Sequence, residues 1–137
     1  MKISTKGRYG LMLMIDLALY ESTGTPISLK SIAERQGLSD HYLEQLIAPL
    51  RNTGLVRSIR GASGGYMLGR SRSTITVADI ILTLEGPLAL VDEEMNDGLH
   101  ELWERLETSI LEVMNSLTLQ DLIQMREKGM GNFMYYI

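Results

Sequence analysis

At 137 residues the chain is long enough for one self-sufficient domain, or for one domain with an appended assembly element. It contains no cysteine, which excludes a disulfide framework, a thiolate metal site and a cysteine nucleophile. The net charge of −4 divides unevenly: residues 1–72 hold ten Lys/Arg against five Asp/Glu and residues 73–137 three against twelve, so the front half is the part suited to a polyanion.

The first ten residues, MKISTKGRYG, are polar and basic. An apolar run from Leu11 to Tyr20, broken only by Asp16, follows them. It is too long for an ordinary strand and predicts a helix buried on most sides, capped by Ser4 or Thr5. Gly24 and Pro26 end it. Ser28 then suits the N-cap of a short helix over Leu29–Gln36, with Ile32 and Ala33 inward and Gly37 as the left-handed stop. Ser39 caps a second helix in which Leu43, Leu46, Ile47 and Leu50 make an apolar stripe. His41, Glu44, Gln45, Ala48 and Arg51 fall on its opposite face. Pro49 conflicts with that helix and is expected to bend or end its last turn.

Leu55–Ile59 alternates as a strand does, GASGG forms a turn, and Tyr66–Leu68 returns. Arg57 and Arg60 flank the turn, and Arg70 and Arg72 follow it. Thr76 caps a helix carrying Val77, Ile80, Ile81 and Leu84 on one face, stopped by Gly86-Pro87. Residues 86–97 are an irregular acidic connector. From Gly98 to Leu117 a longer amphipathic helix is expected, its broad apolar stripe made by Leu99, Leu102, Trp103, Leu106, Ile110, Val113, Met114 and Leu117. A last short helix starts at Thr118, and a Gly-rich, then aromatic tail closes the chain.

Two short helices about a glycine turn form a helix-turn-helix, and the hairpin with its basic tip makes it a winged one. In such a unit the second helix enters the major groove with its N-terminal half, here Ser39, His41, Tyr42, Glu44 and Gln45. Glu can accept from cytosine N4 and Gln can pair with adenine. For Tyr42, packing at the helix rim is an equal alternative. Ser28 and Ser39 stand beside helix N-termini that suit phosphate oxygens. Arg60, at a narrow tip whose glycines allow close approach, suits a narrow minor groove.

The segments MKISTKGRYGL, SLKSIAERQGLSDHYLEQLIAPLRNTGLVRSIRGASGGYMLG and ITVADIILTLEGP resemble the Rrf2 (Rrf-two) family of bacterial winged-helix transcription regulators over nearly the whole chain. The resemblance implies a mainly α fold with a small β-hairpin wing. A winged helix-turn-helix would occupy 1–85 (helix-turn-helix 28–52, wing 55–69), and a connector, long dimerisation helix and tail 86–137. It also implies a homodimer on a pseudo-palindromic double-stranded operator. Glu44 and Gln45 take the base-reading positions and Arg60 the minor-groove position. The full candidate DNA-contacting set is Lys6, Tyr9, Ser28, Ser39, His41, Tyr42, Glu44, Gln45, Arg51, Ser58, Arg60, Gly61, Gly64 and Gly65. The candidate dimerisation set is Leu99, Leu102, Trp103, Leu106, Ile110, Val113 and Leu117.

Iron–sulfur members of the family carry three cysteines in the connector and then a histidine. Here the connector has none, and His100 alone cannot hold a cluster, so no cofactor is expected. The absence of cysteine and the aromatic ending most resemble the cysteine-metabolism repressor branch. That branch implies O-acetylserine thiol-lyase as co-repressor, with Tyr135, Tyr136 and Ile137 as its binding segment on a flexible Gly129/Gly131 stem. The alternative for these aromatics is packing on the dimer partner.

No catalytic constellation stands out: His41 and His100 are far apart, and no P-loop, nucleophile elbow or metal-spaced cluster occurs. No apolar stretch reaches about 18 residues and the first fifteen are too charged for a signal peptide, so a cytoplasmic, membrane-free protein is expected. The competing readings are an interaction module whose winged helix no longer binds DNA, and a repressor gated by a small molecule bound between connector and long helix.

Overall fold

The computed structural model describes residues 2–92 and 96–135, with side chains as far as residue 131. Ser4 caps α1 (Thr5–Leu19) by accepting a hydrogen bond from the Gly7 amide at 3.3 Å. The Ser4 amide and hydroxyl both donate to Glu85, which pins the start of the helix to the far end of a later one. Leu13, Met14, Leu17 and Ala18 are buried at the centre of the main core, and the run is buried on most sides as its composition predicted. Asp16 is buried among them at 5 % exposure. Its carboxylate accepts from Arg35 Nε at 3.0 Å, Arg35 Nη2 at 2.7 Å and Gln36 Nε2 at 3.0 Å. A buried charge is tolerated when it is paired and hydrogen-bonded in this way.

Ser28 caps α2 (Leu29–Gln36), and Gly37, at φ 66°, turns the chain out of it. Ser39 caps α3 (Asp40–Asn52) by accepting from the Tyr42 amide at 3.1 Å. Leu43, Leu46, Ile47 and Leu50 are buried behind it. Pro49 does not end α3, which continues to Asn52 and closes through the Thr53 amide donating to Pro49 O at 3.2 Å. The proline has no N–H to give the Gln45 carbonyl, and the helix continues past it with Leu43, Leu46, Ile47 and Leu50 held in the core.

The wing is β1 (Val56–Ile59) paired antiparallel with β2 (Gly65–Leu68), in the register Val56↔Leu68 to Ile59↔Gly65. A third strand-like contact, absent from the sequence reading, ties it down: Ile27 and Tyr66 exchange backbone hydrogen bonds of 2.9 and 2.8 Å. The wing is thereby fastened to the residue before the α2 cap.

Thr76 and Asp79 form a reciprocal capping box on α4 (Val77–Glu85). A Cβ on Gly10 would overlap the Leu84 side chain, so a glycine on α1 is what lets α1 and α4 approach closely. Then come α5 (His100–Ser116) and α6 (Leu119–Tyr135), each 17 residues long. The broad α5 stripe divides. Ile110 and Met114 pack towards Ala78 and Ile81 of α4, whereas Leu99, Leu102, Leu106 and Val113 are exposed.

The C-terminal segment departs from expectation. The last helix is not short, and Gly129 and Gly131 lie inside it rather than in a flexible stem. A helical glycine costs about 1 kcal/mol relative to alanine. Here a Thr118–Asp121 capping pair starts the helix and the buried Leu119 and Ile123 anchor it on α1, so it propagates through the glycines. Tyr136 and Ile137 lie outside the described residues, as does the side chain of Tyr135.

Candidate nucleic-acid interface

With Leu43, Leu46, Ile47 and Leu50 holding α3 in the core, its outer face presents His41, Glu44, Gln45 and Arg51, all exposed. Gln45 Nε2 lies 3.1 Å from His41 Nε2, so the histidine orients the amide that the sequence assigns to base reading. Tyr42 is half-buried and meets the half-buried Tyr9 of α1 edge to face, with centroids 6.0 Å apart and planes at 85°. These two candidates therefore act at least in part as a joint between α1 and α3. Lys6 is exposed on the same helix, one turn before Tyr9. Ser28 and Ser39 are exposed and use their hydroxyl oxygens as caps, which leaves each hydroxyl proton available to a phosphate oxygen.

The wing sorts its arginines and glycines into separate tasks. Arg60 and Ser58 are exposed, and Gly61 forms the open tip at φ 113°, where a Cβ would meet nothing within 4 Å. Gly64 and Gly65 are structural. A Cβ on Gly64 would overlap Ile59 O, and one on Gly65 would overlap the Ile27 carbonyl, the point where the wing is fastened. Arg70 turns inward to Asp79 at 2.7 Å and to Thr74 O. Arg72 donates to Ala18 O at 3.2 Å and faces Glu21. Arg70 finds its acceptors close by in the chain and Arg72 finds them on the distant α1 and the turn after it, while Arg57 and Arg60 stay exposed on the wing.

Of the seven dimerisation candidates, Leu99, Leu102, Leu106 and Val113 form the exposed stripe of α5. Trp103 and Ile110 are half-buried, Ile110 against α4. Leu117 is half-buried after the helix, its carbonyl accepting from the Val77 amide at 2.8 Å.

The donor set does not fit a cysteine-ligated cluster, because the chain has no thiolate to offer. Among the described residues, no group of three His, Cys, Asp or Glu side chains converges on a metal-sized space. His100 is exposed and, among the described residues, faces Glu104 at 3.5 Å. No helix among the described residues is long and apolar enough to cross a membrane.

Comparison with known proteins agrees with this geometry. The model of the Rrf2 family, described as an iron-dependent transcriptional regulator, matches residues 3–125. The transcriptional regulator CymR of Bacillus subtilis is 52 % identical over 139 residues, covering 100 % of both chains. Its crystal structure, described as that of the global cysteine regulator, superposes with a TM-score of 0.76 at 53 % identity, covering 89 % of this chain and 95 % of that one. The structure of T. potens IscR gives a TM-score of 0.78 at 50 % identity, covering 94 % and 90 %. The fold they share with this chain is the winged helix, mainly α with one hairpin, and the relatives are named as regulators rather than enzymes.

Proposed function

The chain belongs to the Rrf2 family of transcriptional regulators, and from that premise we propose that it is a homodimeric repressor reading a pseudo-palindromic operator through two heads. Glu44 and Gln45 of α3 read base edges in the major groove, and Arg60 enters the minor groove. Lys6, Ser28, Ser39 and Arg51 fix the register on phosphates. The observation that carries this reading is the separation of arginines in and after the wing. Arg70 and Arg72 have internal acceptors, whereas Arg60 stands exposed at an open glycine tip.

Substitution at the two heads tests it. Arg60→Ala is expected to weaken operator binding by about 1–3 kcal/mol. Glu44→Ala is expected to relax base choice at one position of each half-site while leaving affinity for the preferred operator less affected. Anisotropy titrations on operator and single-base variants measure both; two variants that bind like wild type would remove the assignment.

The regulated process is proposed to be cysteine metabolism, supported by the likeness to a protein described as the global cysteine regulator of B. subtilis. The proposed co-repressor is O-acetylserine thiol-lyase, which engages the segment Tyr135-Tyr136-Ile137. Removal of Tyr136 and Ile137 is expected to abolish enzyme binding in calorimetry without changing operator affinity. Enzyme binding that survives the deletion would discard this role for the tail.

A further inference from the structure

His41 stands one helical turn before Gln45 on the exposed face of α3, and the two side chains meet nitrogen to nitrogen, Nε2 to Nε2, at 3.1 Å. An amide nitrogen has two protons and no lone pair to offer. The contact is therefore a hydrogen bond that Gln45 donates and the ring nitrogen accepts. That makes His41 a neutral imidazole with its proton on Nδ1. Imidazolium carries a proton on both nitrogens and has nothing with which to accept.

We propose that His41 is a positioning residue that sets which way the Gln45 amide faces, and thereby decides which purine Gln45 selects. This rests on the reading of α3 as the major-groove helix and names what governs one of its base contacts. With neutral His41, one amide proton goes to the ring. The other amide proton and Oε1 remain, a donor beside an acceptor. Adenine presents the complementary pair, N7 to accept and the N6 amino group to donate. With protonated His41, the ring Nε2–H needs an acceptor, and the amide turns over to give it Oε1. Both amide protons then face outward, and the purine that presents two acceptors, O6 and N7, is guanine.

The surroundings leave this choice to the ring. Among the described residues, neither side chain has another hydrogen-bond partner. Asp40 and Glu44 lie within one turn of His41 on its own helix, and neither forms an ion pair with the ring among the described residues. Four elements pack on α3, namely α1, α2, β1 and α4. Their paired groups are occupied elsewhere: Asp16 with Arg35, Asp79 with Arg70, Glu85 with Ser4 and Tyr9 with Tyr42. Their exposed charges are Lys6 and Arg8 of α1, Lys30 and Glu34 of α2 and Arg57 of β1, and none of these bonds the ring among the described residues. Histidine is also the side chain that gains its proton between about pH 8 and pH 5, so the orientation of the amide follows proton concentration in that window.

Competition binding of the full chain tests this on duplexes that carry each base pair in turn at every half-site position, at about pH 8 and about pH 5.5. Gln45→Ala locates the position, as the one whose base preference it erases. His41 and Gln45 are both exposed, so neither substitution enters the core. At that position the wild type is expected to favour adenine over guanine by about tenfold at the higher pH. At the lower pH the ratio should move at least about fivefold towards guanine. In His41→Ala the ratio should lie near one at both values. Ratios are the readout because a protonated histidine strengthens binding to every duplex alike. His100→Ala, which removes the only other histidine of the chain, should keep the shift. A Gln45-dependent preference that is equal at the two pH values, that favours a base other than adenine at the higher one, or that persists in His41→Ala would overturn the proposal. If Gln45→Ala erases no preference at any position, base reading by Gln45 itself falls, and this proposal with it.

Discussion

Arg35 is exposed over about a third of its side chain, yet it holds Asp16, the one charged group buried in the core among the described residues. Its guanidinium grips Asp16, donates to Ser31 and lies over the Tyr20 ring at 5.0 Å. The hydrogen bond that Arg35 donates to Asp16 outweighs the desolvation and raises the Arg35 pKa above its already high value. A raised folded-state value means that this contribution to stability is complete below the ordinary arginine range and lost only as pH rises through the higher one. The guanidinium side of the pair is therefore insensitive to pH through neutrality. Removing it is another matter. Arg35→Met leaves the carboxylate to Gln36 alone and is expected to cost about 1–3 kcal/mol in a urea unfolding series. No change in the midpoint would show that solvent replaces the arginine. None of this was legible in the sequence, where Asp16 was only a break in an apolar run and Arg35 one charge among ten; their pairing depends on how α1 and α2 cross.

At the level of elements, caps and stripes were the legible part. Ser4, Ser28, Ser39 and Thr76 cap the four helices expected of them, and the apolar spacing of α3 and α4 matches their buried faces. These features depend on near neighbours in the chain. The Ile27–Tyr66 fastening of the wing, the contacts of Arg72 with Ala18 and Glu21, and the division of α5 into two faces depend on distant ones, and they were not legible. The same distinction accounts for Gly65. As a sequence feature it belongs with the tip glycines, but in the fold it touches the Ile27 carbonyl at φ 158°. Gly65→Ala is accordingly expected to lift the wing from α2. It should weaken operator binding several-fold while the far-ultraviolet spectrum keeps its helical signal, and hydrogen exchange should accelerate at the Ile27 and Tyr66 amides. Unchanged exchange at those amides would show that the wing is held elsewhere.

For the whole molecule, a basic front half that exposes the outer face of α3 and the tip of the wing is joined to an acidic back half where α1 packs on α4 and α6 and α3 packs on α4. The front half has the sign of charge that meets phosphate, and the back half provides the apolar seam of α5. A dimer neutralising roughly 6–10 phosphates should lose about 10³–10⁵ in affinity between 50 and 200 mM salt. Salt dependence alone does not establish sequence reading, which is the central claim. Selection of bound duplexes from a randomised pool by the full chain tests it most directly, repeated with Arg60→Ala. The predicted result is enrichment of a pseudo-palindrome with half-sites spaced by whole helical turns. Its preference at the positions under the wing should be lost in the variant. Recovery of unenriched sequence at low salt, with binding that simply fades as salt rises, would contradict it.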